Sequence, residues 1–291
     1  MSWYTEYKNS LKLGVVEEVL DIILYRPLAF LLVKVIYRTN ITPNQLSIFA
    51  ILMGLASGVS YAFGEPACIF AGALFYLAFN VCDCADGQLA RLKNNGTPMG
   101  KIIDGIADYA ATVAVFVGMA FGFANRQEDP AFWWKMLALT GLFIGIHSIL
   151  VDFFRTRFLD YYYQRKGKFE ESLIEFKKAY NIAKQKGRQL ERIAIYIYLR
   201  YCSLQRFLVA KRKRTKTLHA SPQEYYRKNR IIMRLWLLIG PTSQITNIIL
   251  WSLLERIDMF MWVVLIGFNI YAAILWIIQQ FIDFSYKSQP E

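Results

Sequence analysis

Two pairs of aspartates stand close together where two apolar stretches meet. The first pair lies in Asp83-Cys84-Ala85-Asp86-Gly87-Gln88-Leu89-Ala90-Arg91, the second in Gly100-Lys101-Ile102-Ile103-Asp104-Gly105-Ile106-Ala107-Asp108. An acid at the centre of a membrane helix costs roughly 2.5–3.5 kcal/mol on insertion scales. A chain that keeps four of them uses them together. Asp83 and Asp86 are three residues apart, and Asp104 and Asp108 are four apart. On helices, each pair shares one face. If the two helices run antiparallel, all four carboxylates converge, and they repel one another unless protonated or bound to cations. Hard oxygen donors suit Mg²⁺, Mn²⁺ or Ca²⁺. Gly87, Gly100 and Gly105 permit close approach of backbone or ligand. Arg91 offers a planar fork to a phosphate. Together these residues point to a phosphorylated substrate handled with divalent metal.

The pattern D-x2-D-G-x2-A-R-x8-G-x3-D-x3-D resembles the signature of the CDP-alcohol phosphotransferase family at every fixed position. Thr42-Pro43-Asn44-Gln45-Leu46 opens an apolar segment much as family members begin their first membrane helix. The resemblance covers about residues 40–125. It implies a membrane enzyme of phospholipid biosynthesis. Such an enzyme moves a phosphatidyl or similar phospho-alcohol group from a CDP-linked donor to an acceptor hydroxyl and releases CMP. It implies two Mg²⁺ or Mn²⁺ ions per site, with Asp83 and Asp104 bridging both, Asp86 on one and Asp108 on the other. Asp108 is also similar to the family's general base. Gly87, Arg91 and Thr97 resemble positions that bind the CDP donor, and Pro43, Asn44, Gln45 and Leu46 resemble a further donor-binding stretch. A homodimer is implied as well.

The elements that must position these groups are membrane helices. Of the 291 residues 55% are hydrophobic and only 19% charged, which excludes an ordinary soluble domain. Apolar segments at 44–63, 67–91, 101–124, 133–158, 232–254 and 258–283 are each near the length that a bilayer needs. The fold expected is therefore an all-α integral membrane bundle of six transmembrane helices. Residues 1–39 form an N-terminal cytoplasmic part with an interfacial amphipathic helix, since Arg26, Pro27 and Lys34 interrupt its apolar run. Residues 40–160 carry the first four helices and the motif, 161–231 a basic cytoplasmic helical insert, and 232–291 the last two helices and a tail. Residues 1–20 are mixed and charged and do not read as a cleavable signal. The four cysteines lack zinc-ligand spacing and read as small apolar residues.

Basic residues set the orientation. Lys8, Lys12, Arg26, Lys34, Arg38, Arg91, Lys93, Lys101 and the segment 161–230 share one side, against Arg126, Lys135 and Arg256 on the other. By the positive-inside rule the termini and the aspartates face the cytoplasm. Segment 161–230 holds 19 Lys and Arg against 5 Asp and Glu. Leu190, Ile193, Ile197, Tyr201, Leu204 and Leu208 recur at helical steps, and Lys211-Arg212-Lys213-Arg214 follows. Such a segment is either a solvated helical face or a surface for anionic lipid headgroups. No base-reading motif accompanies it, so nucleic acid is not an expected partner.

The resemblance implies a polar alcohol as the acceptor. Arg155, Arg157, Arg227, Arg230 and Arg234 either meet to hold a phosphorylated acceptor such as inositol phosphate, or are plain cytoplasmic flanks. His147 reads as a satisfied polar contact, and Gly240-Pro241 as a helix kink with Thr242 and Gln244 beside it. Two other classes share some of these features. An aspartate-rich intramembrane prenyltransferase also sets acids and Mg²⁺ on a pyrophosphate, but has no need of the glycine and arginine frame. A divalent cation transporter places acids nearer the midplane and often shows internal repeats, which are not seen.

Overall fold

A computed structural model describes residues 6–7, 10–11, 16–95, 98–163, 168–189, most of 192–200, and 221–286, leaving out the side chains of 98–104, 106, 168–173 and 175. Proline opens helix after helix. It occupies the first position of α2 (Pro43–Phe63), α3 (Pro66–Lys93), α4 (Pro98–Gly122), α5 (Pro130–Tyr162), α7 (Pro222–Leu237) and α8 (Pro241–Leu253). Its missing N–H has no intrahelical partner to lose there, and its fixed φ already suits a helix. Ahead of these, a π-helical turn (Asp21–Tyr25) leads into α1 (Arg26–Ile36). Helix α6 (Lys168–Gln185) lies in the basic insert, and α9 (Ile257–Phe284) closes the described chain. The basic run 211–214 and most of the helix expected after residue 190 lie outside the described residues.

Five helical stretches are long and apolar enough to cross a bilayer: Pro43–Phe63, Pro66–Lys93, Ala107–Arg126, Pro130–Tyr162 and Ile257–Phe284. These mark an integral membrane protein, and they fall on five of the six expected spans. The sixth, 232–254, is not one continuous helix. It is divided between α7 and α8, with Gly240 extended (φ −72°, ψ 174°) at the joint. Pro241 removes the N–H that would continue the ladder, so the expected kink is a complete break. Thirteen residues of α8 rise only about 20 Å, short of a bilayer core of about 30 Å.

Helix α2 is the spine on which α3 and α4 both pack, while α3 and α4 barely touch each other. Along the α2–α4 seam backbone lies on backbone. A β-carbon on Gly118 would stand 2.0 Å from the carbonyl oxygen of Gly58, and one on Gly122 would stand 1.8 Å from that of Tyr61. Small residues four apart on both helices allow this approach, a common membrane-helix device. Ser57 Oγ donates to Gly72 O (2.8 Å) and fastens α2 to α3. Helix α1 buries Ala29, Phe30 and Val33 against α3 and leaves Leu31 and Val35 exposed.

A second core joins α5, α7 and α9, where Phe154 stacks on Trp236 and Tyr161 on Tyr225, both at 4.5 Å between centroids. The break at Gly240 lets α7 follow this second core while α8 returns to α3.

Candidate active site

The register between α3 and α4 follows from one contact: the hydroxyls of Tyr76 and Thr112 lie 3.5 Å apart. Seven residues further along α3 is Asp83, and seven residues back along α4 is Gly105, between Asp104 and Asp108. Seven residues are two helical turns, so face is kept and both helices advance about 10 Å toward the loop that joins them. The two aspartate pairs therefore stand at one level, on either side of the gap left because both helices lean on α2. A β-carbon on Gly105 would meet nothing within 4 Å, so this wall of the gap is open.

The aspartates differ in setting. Asp86 is buried and accepts a short hydrogen bond from Ser47 Oγ, which also reaches Pro43 O (3.1 Å). Ser47 was not singled out from the sequence. Its position one turn after Pro43 on the same helix was the available signal. Asp83 is half-buried, while Asp108 is exposed and near enough to Tyr76 for its charge to act on that hydroxyl. Gly100 and Asp104 lie in the first turns of α4, but the side chain of Asp104 is outside the described residues, and so is Thr97 altogether.

Arg91 folds back one turn over Gly87. A β-carbon at Gly87 would lie 3.5 Å from Arg91 Nη1, so the glycine leaves the guanidinium room. Arg91 Nε donates to Ser10 O, which ties the motif to the N-terminal segment. The Pro43–Leu46 stretch serves structure first. Thr42 and Gln45 form a reciprocal capping box, with Gln45 N on Thr42 Oγ1 (3.3 Å) and Thr42 N on Gln45 Oε1 (2.9 Å). Leu46 is in the core and Asn44 is half-buried. Lys93 Nζ donates to Thr39 O (3.1 Å) and Ile41 O (2.9 Å), pinning the approach to α2 against the end of α3.

An acidic segment before α1 borders the same region. Glu17 pairs with Arg26 (3.2 Å), and Thr242 Oγ1 donates to Asp21 Oδ1 (3.0 Å), which also receives a weak contact from Cys84 Sγ (3.9 Å). Glu18 lies at the N-terminus of α8, accepts from Ser243 N (3.1 Å), and faces Arg155 (3.8 Å). Burial, with the charge of Asp21 adding to it, pushes the Glu18 carboxyl up to about 7. The arginines considered for the acceptor are scattered. Arg155 faces Glu18, Arg157 pairs with Asp283 on α9 (2.7 Å), and Arg227, Arg230 and Arg234 are exposed along α7. Arg230 and Arg234 line a cavity of about 210 Å³ with Tyr226 and Ile231. His147 is held by Asn269 (3.2 Å) and Gln244 (3.3 Å), a satisfied polar contact that also occupies Gln244.

Residues 40–174, which contain both aspartate pairs, Arg91 and Ser47, match the CDP-alcohol phosphatidyltransferase family. This stretch, a little under half of the chain, is similar to the CDP-alcohol phosphatidyltransferase domain. Phosphatidylinositol phosphate synthase of Mycobacterium tuberculosis is 26% identical over 121 residues, 41% of this chain and 52% of the relative. CDP-diacylglycerol–inositol 3-phosphatidyltransferase of Rattus norvegicus is 33% identical over 78 residues, 27% of this chain and 35% of the relative. The bifunctional IPC transferase and DIPP synthase of Thermococcus kodakarensis is 28% identical over 119 residues, 41% and 25% of the two chains. The chain thus spans about half the length of the mycobacterial relative, and less of the other two.

The matched stretch offers donors of the kind that a hard divalent cation takes: carboxylates on two helices beside an open gap, with Ser47 holding Asp86. Among the described residues no three acidic, histidine or cysteine side chains are close enough to share an ion, and the side chain of Asp104 is not among them.

Proposed function

We propose that the chain is a divalent-metal-dependent phosphatidyltransferase that moves a phosphatidyl group from a CDP-linked donor to a polyol acceptor, with inositol phosphate the leading candidate, and releases CMP. The observation that carries this reading is the level placement of the two aspartate pairs across the gap beside α2, with Arg91 on the same helix as one pair. Asp83, Asp86, Asp104 and Asp108 would hold the metal, two ions per site, with Asp83 and Asp104 shared. Bound Mg²⁺ or Mn²⁺ supplies charge neutralisation of the donor's pyrophosphate. Arg91, cleared by Gly87, grips a donor phosphate. Asp108, exposed among the described members of the set, takes the proton of the acceptor hydroxyl. Ser47 orients Asp86 as its hydrogen-bond donor.

The names of the mycobacterial and rat relatives, both inositol-linked, favour an inositol-type acceptor. The excess of basic residues on one side supports a site facing the cytoplasm and a sixth crossing made jointly by α7 and α8. The exposed Leu31 and Val35 of α1 support an interfacial position for that helix. The family resemblance supports a homodimer, and the same layout supports the four-part division at residues 39, 160 and 231. The test is CMP release by the purified chain from CDP-diacylglycerol and from soluble CDP-alcohols, each offered inositol phosphate, glycerol phosphate, serine, choline and ethanolamine. Release with CDP-diacylglycerol and inositol phosphate is expected. No CMP from any pairing, with no binding of CDP, would sink the reading.

A further inference from the structure

Arg26 is an anomaly of the N-terminal segment. It is an arginine at 5% exposure, outside the eight-residue motif, packed where α1 meets α3. Two contacts place it beside the motif. Its carbonyl oxygen accepts from Gln88 Nε2 (3.1 Å), a side chain of the motif stretch itself, one turn before Arg91. Its guanidinium meets Glu17 at 3.2 Å. Arg91 lies within electrostatic reach of both Arg26 and Glu17. A buried guanidinium and a half-buried one thus neighbour the same carboxylate. Each keeps a buried nitrogen with no hydrogen-bond partner among the described residues: Nη1 of Arg26 and Nη2 of Arg91.

Orphaned donors on two neighbouring cations are costly unless an anion comes to them. The contact between Arg26 and Glu17 is one of charge without hydrogen-bond alignment, for neither Glu17 oxygen has a hydrogen-bond partner among the described residues. Glu17 therefore offsets part of the positive charge and leaves the forks' free N–H groups available. The ligand that suits such a pair is a tetrahedral oxyanion, since several acceptor oxygens can meet two planar forks at once.

We propose that Arg26 is the second arginine of the donor site and binds, with Arg91, a phosphate of the CDP-linked donor, with Glu17 as the positioning residue that holds Arg26. This rests on the phosphatidyltransferase reading above. It assigns to the segment before α2 a direct part in substrate binding that the motif alone does not contain.

The test uses the full chain in detergent with Mg²⁺ and two ligands, CDP and cytidine, titrated calorimetrically, together with KM values for donor and acceptor. Arg26→Gln alone strands Glu17 in the interior and endangers the fold. The informative variant is Arg26→Gln with Glu17→Gln, which removes both charges together. It is expected to keep its melting temperature within a few degrees, to bind CDP about tenfold or more weakly, to raise the donor KM, and to leave cytidine binding and the acceptor KM unchanged. Arg26→Lys, which keeps the charge and loses the fork, is expected to show the same split with a smaller loss, and decides the matter should the double variant not fold. An undiminished CDP affinity in either folded variant, or an equal loss for CDP and cytidine, overturns the assignment of Arg26 and leaves the enzyme reading standing. Failure of the unaltered chain to bind CDP overturns both.

Discussion

Glu18 makes the fold sensitive to pH, and the sign of the effect can be worked out. Its carboxylate is almost fully buried, packed against the α-carbon of Gly240, where a β-carbon would come within 2.4 Å of Oε1. Burial raises its pKa from 4.5 to about 7, and Asp21 adds to the rise. Arg155 and the N–H groups of Ser243 and Thr242 oppose it. The folded chain therefore binds the Glu18 proton more tightly than the unfolded chain. This contribution to stability is fully present below pH 4.5 and is lost as pH rises through about 7. A gap of this size corresponds to roughly 3 kcal/mol. Glu18→Gln keeps the shape and abolishes the titration. Relative to the unaltered chain, the variant should gain stability from pH 5 to pH 8. Part of the gain is offset by losing the attraction of Arg155, which is about one-third exposed and so worth about 1 kcal/mol or less. The assay is thermal unfolding in detergent at pH 5, 6.5 and 8, followed by tryptophan fluorescence. At roughly 2–4 °C per kcal/mol, the difference in melting temperature should grow by several degrees across that range. A difference that stays flat with pH, or shrinks as pH rises, would refute the reasoning.

Chelation should abolish CMP release, and Mg²⁺ or Mn²⁺ should restore it; full turnover in metal-free buffer contradicts the metal reading. Asp108→Asn should cut turnover by about 10²–10⁴-fold, the range for loss of a general base, while donor binding by calorimetry largely survives. Asp83→Asn should lose donor binding as well, because it removes a shared metal ligand; identical behaviour of the two variants argues against separate roles. Gly118→Val should prevent folding or lower the melting temperature steeply, since its β-carbon would collide with the carbonyl of Gly58. A Gly118→Val chain with wild-type stability would mean that the α2–α4 seam is not closed in solution.

What the sequence disclosed, and what it hid, divides along physical lines. The five long apolar stretches were legible because hydropathy over some twenty residues is a sum and tolerates local exceptions. The aspartate pairs were legible because helical spacing turns sequence distance into a shared face, although only the contact between Tyr76 and Thr112 sets the pairs level. The sixth stretch was legible only in part. Residues 232–254 are mostly apolar, and composition alone does not say that Gly240-Pro241 divides them into two helices with different neighbours. Gln45, which resembles part of a donor-binding stretch, also closes a capping box with Thr42 three residues earlier, and that pair can be recognised in sequence. The buried group of Glu17, Glu18 and Arg26 could not be foreseen. Their partners are Arg155, Ser243 and the motif helix, far along the chain, and charged residues before a membrane segment ordinarily face water. Arg155 and Arg157, two residues apart, take different partners because the helix turns them toward different neighbours.

The seam between α2 and α4 has a mechanical meaning. Side chains can change rotamer to take up a misfit, but a joint made of backbone has no rotamers to change. Gly58 against Gly118 and Tyr61 against Gly122 act as a hard stop, so α4 cannot slide or roll on α2 without breaking contact. The jaws that carry the two aspartate pairs are clamped at the far end of that stop. The place of α4 against α2 is thereby fixed, whereas α3 is held to α2 by side-chain contacts and the hydrogen bond of Ser57. On the proposed reading, adjustment to a substrate falls to the parts outside this seam: the N-terminal segment, α7, and the break at Gly240.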